Sequence, residues 1–93
     1  MPSSFLDYLN SGAVLIADGA TGTNLHAAGL PAGTPPEAWV LDAPDAVRDL
    51  HRAFVAAGAD VVLTCTFGAG RHRLGRSALA GRAAEVNRRA VAL

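Results

Sequence analysis

The chain has 93 residues, of which 51% are hydrophobic and 17% are charged, and its formal net charge is zero. This composition is typical of one globular domain or a piece of one, and it excludes a disordered chain. The balanced charge gives no argument for nucleic acid or an anionic membrane as a partner. No apolar run approaches the roughly 20 residues of a membrane span, and a single cysteine excludes an internal disulfide and favours a reducing compartment, the cytoplasm.

The first predicted elements are a short helix and a buried strand. Ser4 and Asp7 have the spacing of a capping box, which predicts a helix over residues 5–10 that ends at Gly12. Residues 13–17 form a continuous apolar run without alternation. Such a run predicts a strand that is buried on both faces, as in a parallel sheet.

The middle of the chain predicts an irregular connection and a longer helix. Residues 29–44 contain four prolines and two glycines around Trp39, so we expect no regular element there. A helix is predicted to begin at Pro44, a residue that suits a first turn, and to end at Gly58. Apolar residues recur along it at helical spacing.

A second strand and a last helix complete the predicted order. Residues 59–66 are rich in β-branched side chains, which predicts another buried strand. Glycines loosen the next loop, and a last helix is predicted over residues 77–92, with Leu79, Ala83, Val86 and Ala90 on one stripe. The fold class predicted is therefore α/β, a right-handed βαβα unit with a parallel sheet.

In α/β proteins the ligand lies at the carboxyl ends of the strands. Here those ends carry Asp18-Gly19 and the segment 64–67. The loop Asp18-Gly19-Ala20-Thr21-Gly22-Thr23 cannot be a P-loop because the chain has no lysine. The dinucleotide fingerprint fails as well, because Arg73 stands where the third glycine of a motif beginning at Gly68 belongs.

Metal and nucleophile chemistry have little support in the sequence. The histidines and Cys65 are too far apart for a metal-ligand motif. Cys65 has no base near it in sequence, so a small buried strand residue is the better interpretation. Asp18 fits two roles: its carboxylate could bind a substrate ammonium, or it could cap the loop or the short helix after it.

Charge is unevenly spread along the chain. Residues 1–60 contain seven acids and two arginines, whereas residues 71–93 contain six arginines and one glutamate. A solvated helix face is the ordinary explanation of such a run. A basic surface for an anionic ligand is the alternative.

Four segments together resemble the homocysteine S-methyltransferase family. They are LIADGATGTNL, GTPPEAW, PDAVRDLHRAFVAAGAD and VVLTCTFGAGRHRL, in this order, and they cover almost the whole chain. The chain departs from the family at Cys65, where asparagine is frequent, and at Val40, which replaces a common asparagine.

The resemblance implies an enzyme that transfers a methyl group to the thiol of homocysteine to give methionine. It implies a (β/α)₈ TIM barrel, with a zinc ion that three cysteines hold and that binds the homocysteine thiol. It also implies that Asp18 helps to bind the substrate amino group, that the backbone at Gly19 helps to bind the carboxylate, and that Thr66 lines the pocket. The expected ligands are homocysteine and a methyl donor, with cobalamin as one of the methyl carriers that such families use.

The expected domain is residues 1–93, an N-terminal part of that barrel truncated after the second βα unit, because a barrel needs roughly 250 residues. The zinc cysteines of the family lie far downstream, and Cys65 matches none of them. We therefore expect the 93-residue chain alone to be inactive. The alternative is a non-enzymatic α/β interaction module, or a remnant that pairs with a complementary chain through its unpaired strand edges.

Overall fold

Helices and turns dominate the architecture of the protein. The computed structural model describes residues 4–93, and within them the helices are α1 (Phe5–Asn10), α2 (Thr21–Ala27), α3 (Ala38–Asp42), α4 (Pro44–Ala56), α5 (Arg71–Leu74) and α6 (Ala83–Ala92). In the packed part of the molecule, α3 contacts both α4 and α6, and α2 contacts α4. The short helix α3 is therefore the central element of the packing.

The predicted α/β class, with its βαβα unit, is wrong. The described residues contain no strand, and the two apolar runs meet only at an isolated parallel bridge between Ala17 and Val61. Around this bridge the backbone of residue 18 donates to Val61, and the carbonyl of Ile16 accepts from residues 60 and 61. The pairing is parallel, as predicted, but it extends over too few residues to form a sheet.

Two aspartate side chains end the pairing. In a longer parallel ladder, the N–H of Leu63 would donate to the backbone carbonyl of Asp18. It donates instead to the Asp18 carboxylate, at 3.2 Å. At the other end, the N–H of Ile16 donates to the carboxylate of Asp60, at 3.0 Å. The backbone groups that would extend a ladder are thus bound by side chains.

Several side chains of the apolar runs are also exposed, although Cys65 in the second run is buried. The exposed fraction is 89% for Val14, 58% for Ile16 and 65% for Leu63. A continuous apolar run forms an interior strand only where other elements cover both of its faces, and the described residues leave most of the surface of these three side chains exposed. This is the physical reason why the prediction of two buried strands failed.

The predicted helices were more accurate. Helix α1 has the predicted bounds, and the Ser4 hydroxyl accepts the N–H of Asp7 at 3.1 Å. Helix α4 begins at Pro44 as predicted. The last helix begins at Ala83 rather than at Ser77, because residues 77–82 form turns that include Gly81 at a φ of +80°.

The core consists of two clusters that α3 joins. The first contains Leu25, Leu30, Val40, Val47, Cys65 and Ala90, and the second contains Ala38, Ala69, Leu74, Leu79 and Val86. The two buried side chains of α3 lie on different sides of the helix. Val40 belongs to the first cluster and Ala38 to the second. The segment 63–69 contributes Cys65 to the first cluster and Ala69 to the second, and it borders a cavity.

Candidate functional site

A cavity of about 520 Å³ lies between the start of α2, the residues that precede α3, and the segment 63–68. This volume is in the range of small-molecule sites. Its lining is mostly apolar or small, with a few polar side chains: Thr21, Gly22, Pro35, Pro36, Glu37, Leu63, Thr64, Cys65, Thr66, Phe67, Gly68, Arg73 and Leu74. The cavity therefore brings together parts of three segments that the sequence analysis treated separately.

Of the three predicted site residues, Thr66 is the one that lines the cavity. Its hydroxyl lies 2.8 Å from the hydroxyl of Thr64, and the two form a hydrogen bond. A tight turn follows, in which the N–H of Ala69 donates to the carbonyl of Thr66. The half-buried Thr66 side chain is thus held at the cavity wall by its neighbours.

Asp18 and Gly19 lie at the edge of the cavity rather than in its wall. Asp18 is half-buried, and its Oδ1 accepts the N–H of Leu63, a residue that lines the cavity. Gly19 is exposed, and a Cβ at this position would contact nothing within 4 Å. The structure therefore places the Asp18 carboxylate next to the wall, and its loop continues into Thr21 and Gly22, which do line the cavity.

The sequence analysis missed Glu37, the one buried acid of the described core. Glu37 is 4% exposed, and its Oε1 accepts a hydrogen bond from the N–H of Gly68 at 2.6 Å. The signal available in the sequence was an acid directly before an apolar helical stretch, in a segment interpreted as irregular. A buried carboxylate is costly unless donors are provided, so the contact with Gly68 is a strong constraint on the cavity wall.

Cys65 is buried, as predicted, although it does not lie in a strand. Burial, with a smaller contribution from the charge of Glu37, raises the pKa of its thiol from 9.0 to about 11. At neutral pH the side chain is therefore a protonated thiol, and the thiolate needed for nucleophilic attack is scarce. This environment favours the packing role of Cys65 in the first core cluster.

We expect native Cys65 to react with iodoacetamide about 100-fold more slowly at pH 7.5 than the same cysteine in urea, since each pKa unit reduces the thiolate tenfold. Because the thiolate forms as the pH rises, the native rate should keep increasing up to about pH 11, whereas the unfolded rate should level near pH 9. Mass spectrometry of quenched samples measures both rates. Equal native and unfolded rates would contradict the burial of this thiol.

Metal-binding side chains are not clustered in the described part of the chain. Within residues 4–93, no group of three His, Cys, Asp or Glu side chains lies close enough to hold a metal ion. His26 is engaged through Nδ1 with the carbonyl of Leu30, at 2.9 Å. The side chains of this part of the chain thus do not fit the zinc site that the family resemblance implies.

A second, more open cavity of about 650 Å³ adjoins the first. Arg71, His72, Arg73 and Arg76 surround it, together with Phe67, whose side chain is 93% exposed. The guanidinium carbon of Arg73 lies 5.7 Å from the centroid of the Phe67 ring, a cation–π contact. Three of the six arginines of residues 71–93 therefore lie beside the candidate site.

Over the described residues, none of the helices has the length and apolar character that a membrane crossing requires.

Comparison with known proteins gives a consistent result. Betaine–homocysteine S-methyltransferase 1 of Bos taurus is 45% identical over 71 residues, which cover 74% of this chain and 17% of the bovine protein. The protein of the same name from Sus scrofa gives 45% identity over 74% of this chain and 25% of its own length. S-methylmethionine–homocysteine S-methyltransferase of Rattus norvegicus gives 45% over 74% of this chain and 19% of its own.

The chain therefore spans roughly a fifth of the length of these relatives. None of the solved structures is significantly similar to it. The family model described as homocysteine S-methyltransferase matches residues 15–93, which include the Asp18 loop and every residue that lines the cavity. The chain belongs to the homocysteine S-methyltransferase family.

Proposed function

We propose that the complete protein transfers a methyl group to the thiol of homocysteine, giving methionine, and that this chain supplies part of the homocysteine-binding pocket. The observation that carries the proposal is the cavity of about 520 Å³ that Thr66 lines and Asp18 borders. The relatives named above support the reaction, because each name specifies homocysteine as methyl acceptor.

Asp18 suits the amino group of the substrate. Its Oδ1 accepts from Leu63, and its Oδ2 has no donor within the described part of the chain, so this oxygen can accept from an ammonium. The backbone N–H of Gly19, which also has no described partner, is suited to a carboxylate. An amino acid carries both charges, and the cavity beside this loop has room for its side chain.

Zinc would supply activation of the sulfur in the complete protein, because a bound cation stabilises the thiolate form of homocysteine. The described residues contain no side-chain cluster that fits zinc. The role that we assign to this chain is therefore limited to the amino-acid end of homocysteine. We expect no methyl transfer by the 93 residues alone.

Homocysteine added to the ¹⁵N-labelled chain should shift the backbone amide signals of the Asp18 loop and of Thr66. We expect Asp18→Asn to weaken the affinity by about 1.5–3 kcal/mol, the usual contribution of a hydrogen bond to a charged group. Asp49→Asn is the matched control, because this carboxylate is 74% exposed on α4, outside the cavity lining. Equal affinities for the two variants would remove Asp18 from the proposed site.

A second candidate function is the binding of a complementary polypeptide. The observation that favours it is the exposure of Val14, Ile16 and Leu63 on the two bridged segments, where apolar side chains adjoin backbone groups without a ladder partner. If homocysteine produced no amide shifts and the chain sedimented as a dimer or larger species, this function would replace the first.

A further inference from the structure

We propose that Glu37 is a positioning residue that holds the segment 64–68 in the shape that lines the cavity. The consequence for ligand binding rests on the proposed function above, whereas the positioning itself can be tested without a ligand. Glu37 precedes α3 and lies 31 residues before Gly68 in the chain. It therefore connects the central helix of the core with a segment that has no regular structure.

The contact is short and buried. Oε1 of Glu37 lies 2.6 Å from the nitrogen of Gly68, and the two residues are both classed as buried. A hydrogen bond from a backbone N–H to a carboxylate is stronger than one between neutral groups. If the carboxylate were removed, the N–H of Gly68 would be buried without a partner. An unpaired buried donor lowers the free energy of unfolding by its full desolvation penalty.

The packing around this bond leaves no room for a Cβ on residue 68 while the Glu37 carboxylate keeps its position. A Cβ on residue 68 would lie 2.7 Å from Oε1 and 3.2 Å from Cδ of Glu37. The carboxylate therefore occupies the space of a Cβ on residue 68, and any residue other than glycine would have to displace it. The close approach of the backbone to the carboxylate thus depends on the residue types at both positions, glutamate at 37 and glycine at 68.

The restraint extends from Gly68 to the predicted substrate residue. Gly68 lies inside the turn that the N–H of Ala69 closes on the carbonyl of Thr66. Thr66 in turn is bonded through its hydroxyl to Thr64. A displacement of Gly68 therefore moves Thr66, whereas an intact Glu37 contact fixes both at the cavity wall.

An ordinary stabilising role explains the burial of Glu37 less well. A carboxylate costs more to desolvate than an apolar side chain of similar size, so burial alone does not account for an acid at this position. A carboxylate that reaches a specific backbone N–H instead defines where the backbone lies. The placement of both groups in the cavity wall is what links this definition to the site.

Three substitutions in the 93-residue chain test the proposal. Glu37→Gln keeps the length and an oxygen acceptor, Glu37→Asp keeps the charge but shortens the reach, and Glu37→Ala removes both. Hydrogen exchange of the Gly68 amide, followed by NMR, reports the contact directly. The amides of α6 report global opening and serve as the internal control, because this helix contributes Ala90 to the first core cluster and Val86 to the second.

We expect exchange at Gly68 to accelerate about tenfold or more in Glu37→Asp and Glu37→Ala, while Glu37→Gln stays within about threefold of the native rate. The α6 amides should change little in the Gln and Asp variants. The proposal is overturned if exchange at Gly68 stays within about threefold of the native rate in Glu37→Ala, because this N–H would then not depend on the Glu37 side chain. It is equally overturned if Gly68 and α6 amides accelerate together, because Glu37 would then act on global stability.

Homocysteine titration separates this inference from the proposed function. If the native chain shows amide shifts, Glu37→Asp should weaken the affinity about tenfold and Glu37→Gln should restore it. If the native chain shows no shifts, the proposed function fails, and the exchange rates at Gly68 still decide whether Glu37 positions the segment.

Discussion

Leu25→Ala is expected to lower the free energy of unfolding by about 2–5 kcal/mol, the usual cost of truncating a fully buried leucine. Leu25 is 1% exposed and belongs to the first core cluster, where helix α2 packs against α4. Deleting its methyl groups loses their burial and leaves a cavity that the surrounding residues fill only in part. For a domain with a total stability of about 5–15 kcal/mol, this loss is large.

The effect should extend to the candidate site. Helix α2 begins at Thr21, directly after the Asp18 loop, and Leu25 is the one side chain of α2 classed as buried. When this side chain no longer holds α2 on α4, Thr21 and Gly22 lose their fixed position in the cavity wall. Stability and homocysteine-induced amide shifts are therefore expected to decrease together in this variant.

Leu63→Ala is the matched control, because the same atoms are removed from a side chain that is 65% exposed. It should change the free energy of unfolding by no more than about 0.5 kcal/mol, as surface substitutions usually do. Urea unfolding followed by circular dichroism measures both variants. A cost below about 1 kcal/mol for Leu25→Ala, or equal costs for the two variants, would contradict the assignment of Leu25 to the core.

The helices were the part of the fold that local sequence could predict. The cap that Ser4 provides for α1 is a contact between residues three apart, and Pro44 begins α4 because its missing N–H costs nothing in a first turn. Both signals depend on near neighbours in the chain. Helix α3 was missed because a proline-rich segment precedes it and because its five residues are too few for a clear apolar period.

The strands failed for a different reason. An apolar run shows that side chains avoid water, but it does not show which elements cover them, and strands and buried helices are then hard to distinguish. Residues 13–17 were predicted to be buried on both faces, yet Val14 is 89% exposed. The carboxylates of Asp18 and Asp60 bind the backbone N–H groups that would extend the pairing. Neither contact can be inferred from a hydrophobic pattern.

The candidate site was predictable in part. The resemblance pointed to Thr66, and the structure places it in the cavity wall; the substrate roles of Asp18, Gly19 and Thr66 stay predictions. The role of Glu37 could not be predicted, because its partner lies 31 residues away in the chain. The partner is a backbone N–H, a group that every residue except proline has, so no residue type in the sequence indicates the contact. Long-range contacts to the backbone are the kind of interaction that a single sequence reveals least.

Gly68→Ala is expected to cost about 2–4 kcal/mol of unfolding free energy, although alanine is ordinarily a favourable replacement for glycine. Gly68 does not have a positive φ, so the backbone itself accepts alanine. The cost arises from the added Cβ, which would lie 2.7 Å from Oε1 of Glu37. The carboxylate must then move away, and the hydrogen bond to the N–H of residue 68 is lost or distorted.

Gly70→Ala is the control for this change. Gly70 has a φ of −72°, and a Cβ there would contact nothing within 4 Å. We expect its unfolding free energy to fall by no more than about 1 kcal/mol, because Gly70 is the N-cap of α5 and alanine is less favourable there. Urea unfolding of the two variants under the same conditions gives the comparison. If Gly68→Ala proved as mild as Gly70→Ala, the close approach of Glu37 to the backbone would be refuted.

A double-mutant cycle locates the cause of the Gly68→Ala effect. If the Cβ is unfavourable because it collides with the carboxylate, the collision cannot occur in a chain that already carries Glu37→Ala. Residues in direct contact show such non-additivity, whereas independent residues do not. We therefore expect Gly68→Ala to cost less than about 1 kcal/mol in the Glu37→Ala background. Full additivity would place the cost in some other contact of the 66–69 turn and would separate Gly68 from Glu37.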